Sequence, residues 1–360
     1  MRKFPQSVVY SSLSTPLANQ ADQFMIKKRV SIKDIAELAG VSHPTVSRAL
    51  RGQGRMSDET RARIVAVADE LGYTPSLMAR GLVTQRSYCI GLIVPTFVNP
   101  FNSAVAQGIE SEARQKGYSL FLASTDIEAQ RELEVMRSFL GRQVDGIIVV
   151  SGHVGDEYAK VSIETGVPVV LINVNTPSSK AHAIYHDDVA GARKLVEYLL
   201  DQGRRRIAYL GASAEGRSHI ERRKAWFETL LEAGLSTKLE GDGLSGTIDG
   251  GKLACTTLLN DSSSRPDAMV CFNDVMAVGA MSILRQEKVA IPIDVAVTGF
   301  DDIEMASVTE PPLTTIRQPL LDMGTEAMSL LLDLMDPETP APESPVIKYM
   351  PGELIVRESA

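Results

Sequence analysis

The sequence predicts a small all-α head joined to a larger α/β body of two parallel-sheet lobes. Three observations lead there. Residues 31–72 read as three short amphipathic helices punctuated by Gly40, Gly52 and Gly72. From Tyr88 onward, short β-branched runs alternate with longer amphipathic stretches, the pattern of buried strands joined by crossover helices. Residues 88–360 are also too many for one such sheet, so two lobes with a cleft between them are expected.

The first helix opens at Ser31-Ile-Lys-Asp34, which resembles a capping box with Asp34 in the place usually held by Glu or Gln. Ile32, Ile35, Ala36 and Ala39 mark its inner face, and Gly40 is free to take the positive φ of a tight turn. Ser42 then caps a second helix, so His43 and Pro44 fall at the first two helical positions. The backbone N–H groups there have no intrahelical partner, so Pro44 starts the helix and does not break it. Val46 and Leu50 turn inward, and Thr45, Ser47 and Arg48 point elsewhere. A third helix is capped at Ser57 and buries Ile64, Ala68 and Leu71.

Charge separates the two parts. Residues 1–88 hold 13 Lys and Arg against 7 Asp and Glu, a balance of +6, whereas residues 89–360 hold 24 against 38, a balance of −14. A basic head on an acidic body fits a nucleic-acid-binding module attached to a part that does not bind nucleic acid; chance clustering on a solvated face is the alternative. The exposed side of the second helix carries groups that hydrogen-bond to base edges or phosphates.

The stretch SIKDIAELAGVSHPTVSRALRGQGRMSDETRARIVAVADELGYTPSLMARGL is similar, without a gap, to the helix-turn-helix head and hinge of the lactose-repressor (LacI/GalR) family of bacterial transcription regulators. The resemblance implies that the helix starting at His43 lies in the DNA major groove. His43, Pro44 and Arg48 fall at the family's base-reading positions, while Ser42, Thr45, Ser47 and Tyr73 suit phosphate contacts. Arg48 is the candidate for bidentate pairing with guanine, and Pro44 offers apolar contact only. Residues 75–82 correspond to a hinge helix in which Leu82 wedges into the minor groove; an ordinary linker is the alternative.

In the body, CIGLIV, YSLFLAS, VDGIIVV, VPVVLIN, RRIAYLG, DAMVCF and DVAVTGF are the strand-like runs. DGIIVV, RRIAYLG, FNDVMAVGA and GFDDIEMASVTEPPLTTIRQP resemble blocks of the same family's periplasmic-binding-protein-like core. Ligands of open α/β sheets bind beyond the carboxyl ends of strands, where Asn173, Asn273 and Asp301 stand. The resemblance implies that these residues line an effector cleft with Arg223 as its effector-binding arginine; Phe97 and Phe101 supply apolar walls. Each has a plainer alternative: Asn273 and Asp301 as helix caps, Arg223 as a surface ion pair, Phe101 as core. Two departures stand out. GDGLSGTIDGG places glycine where relatives carry a stacking aromatic, and Trp226 falls where many relatives have a small residue.

The expected boundaries are an extension at 1–29, a helix-turn-helix domain at 30–74, a hinge and linker at 75–87 and the core at 88–360. Within the core, the N-lobe takes 88–186 and 317–344 and the C-lobe 187–316 and 345–358. Apolar runs such as CIGLIV are far shorter than the ~20 residues of a membrane span. FPQSVVYSSLSTPLANQ lacks the apolar centre of a secretory signal, so a cytoplasmic protein is expected, with Met25 a candidate alternative start. Cys89, Cys255 and Cys271 are odd in number and widely spaced, and among the five histidines the HxxxH spacing of His182 and His186 comes without the HExxH pattern. No metal or other cofactor is therefore expected. With no Walker loop, GxSxG elbow or HExxH motif, the reading is a non-enzymatic DNA-binding regulator, by expectation a repressor. It would act as a homodimer on a pseudo-palindromic operator, controlled by a small polar effector such as a sugar or sugar derivative. A solute-binding receptor is the alternative.

Overall fold

The computed structural model describes residues 30–50, 52–73, 86–176, 180–212, 216–260 and 265–360. The extension at 1–29 with Met25, and the hinge at 75–82 with Leu82, lie outside the described residues. The chain divides into two compact units, Met1–Ala79 and Arg80–Ala360.

The head is built from α1 (Ile32–Ala39), α2 (His43–Leu50) and α3 (Asp58–Glu70). The capping box forms: the Ser31 N–H donates to Asp34 Oδ2 at 2.7 Å, and Gly40 ends the helix at φ 65°. Ile35, Val46 and Ile64, one from each helix, are fully buried together, with Ala36, Ala39, Ala49 and Ala68 around them. The inward residue of α2's second turn is Ala49, while Leu50 and Leu71 are half-buried at the margin.

Among the described residues the body holds two parallel sheets whose central strands are apolar runs buried on both faces, with helices α4 (Pro100–Gln115), α5 (Ala129–Gly141), α6 (Glu157–Thr165), α7 (Asp188–Asp201), α8 (Arg217–Glu232), α9 (Ile248–Asn260) and α10 (Asp274–Gln286) between strands. Among the described residues the first has the order β11-β5-β4-β3-β1-β2, with β1 Cys89–Val94, β2 Ser119–Ser124, β3 Gly146–Val150, β4 Val169–Ile172, β5 His182–His186 and β11 Ile347–Met350. The second has the order β7-β6-β8-β9, with β6 Ile207–Gly211, β7 Glu240–Asp242, β8 Ala268–Cys271 and β9 Ala296–Thr298. The strand-like runs form as expected. Strands β5, β7 and β11 are not among them, because HAIYH and IKYM interleave polar residues, β11 is an exposed edge, and EGD turns only a glycine inward.

One boundary differs from expectation. Ile347–Met350 pairs in parallel with β5 and belongs to the N-lobe sheet, so the segment 345–358 is shared between lobes. The chain returns to the C-lobe only at β12 (Glu353–Ile355), antiparallel to β10 (Thr315–Arg317). The lobes are thus joined by crossings near residues 186–188, 317–320 and 350–353.

Where the linker meets the body, Asp145 takes the Ser87 N–H (2.7 Å) and hydroxyl (2.9 Å) on Oδ1 and the Tyr88 N–H (2.9 Å) on Oδ2. These bonds hold Tyr88 at φ 56°, a conformation that costs a non-glycine residue about 1–3 kcal/mol. Asp145→Ala strands two backbone donors in a partly buried site. We expect a loss of about 1–3 kcal/mol in urea unfolding, against no change if water replaces the carboxylate freely.

Candidate functional site

In the head, α2 presents one face to the core and another to solvent. Ser42, His43, Pro44 and Arg48 are exposed, Thr45 and Ser47 half-buried, and Val46 and Ala49 buried. The Ser42 carbonyl receives the Thr45 and Val46 N–H groups at 2.9 and 3.1 Å, starting the helix at His43. Its hydroxyl pairs with the Thr45 hydroxyl at 2.9 Å. Arg48 Nε donates to the Pro44 carbonyl at 3.2 Å, which lays the guanidinium along the exposed face. Tyr73 follows α3, its ring packed half-buried against the head core and its N–H bonded to the Ala68 carbonyl.

The body gathers charged and polar groups at the crossings. Helix α7 (Asp188–Asp201) begins with a fully buried carboxylate, and helix α8 (Arg217–Glu232) supplies two arginines to it. Arg222 Nε donates to Asp188 Oδ1 at 2.7 Å and Nη1 to the Phe272 carbonyl at 2.7 Å; Nη1 also lies 3.7 Å from Asp301 Oδ1. The guanidinium sits 3.6 Å over the Phe300 ring. Asp301 accepts from Gln318 Nε2 at 2.6 Å, and Gln318 Oε1 is buried without a hydrogen-bond partner. The His186 N–H donates to Asn173 Oδ1 at 2.9 Å, bringing the ends of β4 and β5 into the same region.

Burial sets the electrostatics. It would raise the Asp188 carboxyl, but Arg222, followed by His186, holds it well below the usual carboxylate range. Asp301 is pushed up to about 7, because burial outweighs the attraction of Arg222 and the Gln318 bond. Asp274, at the start of helix α10 (Asp274–Gln286), is raised by burial and then by Asp301, although it accepts the Thr315 hydroxyl at 2.6 Å.

The expected effector residues divide. Asn173 and Asp301 lie in this cluster. Asn273 is at its edge but uses both side-chain atoms locally, capping α10 through Met276 N (2.8 Å) and donating to the Gly246 carbonyl (3.0 Å). Asp301 is not a cap; it sits at φ 118° with its carboxylate in the cluster. Phe101 is 6% exposed in the N-lobe core, and Phe97 is exposed on the loop after β1. Arg223 is not in the cluster: both its bonds go to Glu240, as Nη2 to Oε1 at 2.7 Å and Nε to Oε2, in an exposed pair. The inward arginine is its neighbour Arg222, because one residue turns a helix by about 100°.

Sequence reasoning also passed over Asp188, Arg217 and Gln318. Two adjacent acids after β5 and a run of arginines opening α8 were the available signals. In the aromatic slot a Cβ on Gly246 would lie 3.1 Å from Asn273 Nδ2 and 3.2 Å from Phe272 Cε1, so any side chain there is pressed against both. Trp226 is fully buried against Tyr209, its indole N–H directed at the Ile207 carbonyl (3.3 Å).

Comparison with known proteins agrees with both units. The family described as bacterial regulatory proteins, lacI family, matches residues 31–76, and the periplasmic binding protein-like domain matches 196–360. Catabolite control protein A of Priestia megaterium is 33% identical over 315 residues, spanning 86% of this chain and 94% of its own. The HTH-type transcriptional repressor PurR of Vibrio campbellii is 34% identical over 335 residues, 91% of this chain and 98% of its own. The solved Lac repressor dimer bound to operator and the anti-inducer ONPF superposes with TM-score 0.84 at 27% identity, covering 92% and 99% of the two chains. These relatives are transcriptional regulators, so the receptor alternative falls away. With a helix-turn-helix head and a two-lobed core both matched along most of its length, the chain belongs to the LacI family of DNA-binding transcriptional regulators.

Proposed function

We propose that this protein is a cytoplasmic repressor that binds a pseudo-palindromic operator as a homodimer and changes its operator affinity when a small polar molecule enters between the lobes. The observation that carries this reading is the exposed face of α2, where Ser42, His43, Pro44 and Arg48 project from a helix whose opposite face is closed by Val46 and Ala49. His43, Pro44 and Arg48 read bases; Ser42, Thr45, Ser47 and Tyr73 hold phosphates; Leu82 is the minor-groove wedge. A two-fold dimer matches the symmetry of such an operator. Apolar side chains left open on edge strand β2, Phe121 and Leu122, support association with a second copy.

For the effector, Arg222 replaces Arg223 as the arginine of the site, with Asp301, Asn173 and Asn273 beside it and Phe97 as an apolar wall. Asp301 and the unpartnered Gln318 Oε1 supply acceptors, which suits the hydroxyls of a sugar or sugar derivative. Thermal-shift screening of sugars, nucleosides and polyols, followed by operator titration, tests the mechanism. A ligand that binds and leaves operator affinity unchanged refutes allosteric control.

Arg48→Ala should cost about 1–3 kcal/mol on the preferred operator and relax preference at one base pair. Lys33→Ala, on the exposed side of α1, should mainly lower the salt dependence of binding. Equal weakening by Arg48→Ala on every sequence, measured by fluorescence anisotropy, would remove Arg48 as a base reader.

A further inference from the structure

We propose that Arg217 latches the two lobes together through a clamp on two N-lobe tyrosines, and that this latch sets the lobe arrangement when no effector is bound. The inference deepens the proposed regulatory reading and rests on it.

Arg217 opens helix α8 in the C-lobe and is 8% exposed. Its guanidinium carbon stands 4.0 Å from the centre of the Tyr185 ring and 5.6 Å from that of Tyr349. Both tyrosines belong to the N-lobe sheet, on β5 and β11, with ring centres 5.4 Å apart. The Tyr185 hydroxyl is fixed by that of Thr176 at 3.1 Å. Cations within about 6 Å of an aromatic centroid are attracted to the ring face, more strongly when water is excluded.

The edge of the same guanidinium faces the other way. Nη2 pairs with Glu221 at 2.6 Å, and Nη1 lies 3.4 Å from Asp188 Oδ2 and 3.5 Å from the His186 carbonyl. Glu221 and Asp188 sit on C-lobe helices and travel with Arg217 if the lobes rotate about their crossings. Those ion pairs survive the motion, whereas the contact with the tyrosine faces does not. The His186 carbonyl lies at a crossing, about which the lobes turn, so the ring contact is the part of the Arg217 environment that changes most from one lobe arrangement to another, which is what a two-state element requires.

Tyr349 makes the test clean, because it is 58% exposed on an edge strand and is not needed in the core. Spin labels at Lys160→Cys in the N-lobe and Lys224→Cys in the C-lobe, in full-length protein diluted with unlabelled chains, report the inter-lobe distance within one protomer. Tyr349→Leu opens the clamp by removing its outer ring face, leaving Tyr185 alone, and should add a second distance population, with operator Kd shifted about 2- to 30-fold without any effector. Tyr349→Phe keeps the outer ring face and should match the unsubstituted protein, and Arg217→Ala, which gives up both faces, should add a second population at least as large as that of Tyr349→Leu.

Unchanged distances and operator affinity in Tyr349→Leu overturn the latch. So does an effect of Arg217→Ala alone, which would place its role in the C-lobe ion pairs. Failure of the unsubstituted protein to bind any operator would instead overturn the regulatory reading, while the distance distributions would still decide the latch.

Discussion

Arg222→Ala should lower the stability of the body by about 3–5 kcal/mol, the cost of leaving a buried carboxylate without its main partner. Asp188 is fully buried and Arg222 is its shortest ion pair, at 2.7 Å against 3.4 Å for Arg217. The substitution also leaves the Phe272 carbonyl unpaired. Urea unfolding near neutral pH measures the effect. The loss should shrink as the medium is acidified, because Asp188 without Arg222 takes up a proton more readily. A loss under about 1 kcal/mol would show that Arg217 and His186 suffice to hold the charge. Replacing both members by apolar residues, as in Arg222→Met with Asp188→Leu, should recover part of the loss, since a buried pair as a whole contributes far less than the cost of breaking it.

Asp301→Asn should stabilise the protein most at alkaline pH. The Asp301 carboxyl is raised in the folded state to about 7, against about 3.9 unfolded. Between those values the folded protein binds more protons than the unfolded chain, so this group's contribution is full below about pH 4 and is lost as pH rises towards 7. Asp188 acts in the opposite sense, with stability present above the unfolded carboxylate value and lost as the medium is acidified through its depressed folded value. Asparagine keeps an acceptor for Gln318 and removes the charge. The gain should be about 2–4 kcal/mol at pH 8 and near zero at pH 4, read from urea midpoints. A pH-independent gain would place the effect in packing. The same variant should lose effector affinity if Asp301 contacts the ligand as proposed.

Much of the fold was legible locally. The capping box at Ser31, the turn at Gly40 and the proline at the start of α2 are decided by neighbours within four residues, so the three head helices follow from the sequence. Buried strands such as GIIVV and VVLI were legible because both their faces are apolar. The strands HAIYH and IKYM were not, because interleaved polar residues blur the pattern and only a pairing partner tells such a run to extend. In the site, Asp301 and Asn173 were visible as polar residues at strand ends. That Asn273 spends its side chain on a cap and Phe101 joins the core depends on neighbours distant in sequence.

A basic head of three helices, an α/β body and the family to which they belong can be read from the residues in order, because capping, turn chemistry and hydrophobic period act over a few residues. Which of two adjacent arginines is buried emerges only once the helix is packed against its neighbours. Arg222 and Arg223 are chemically identical on the page, and the direction each points is set by the phase in which α8 lies against Asp188, Phe300 and the N-lobe crossings. The same holds for Arg217, whose tyrosine partners lie on strands paired by the fold and separated in the chain by more than 160 residues.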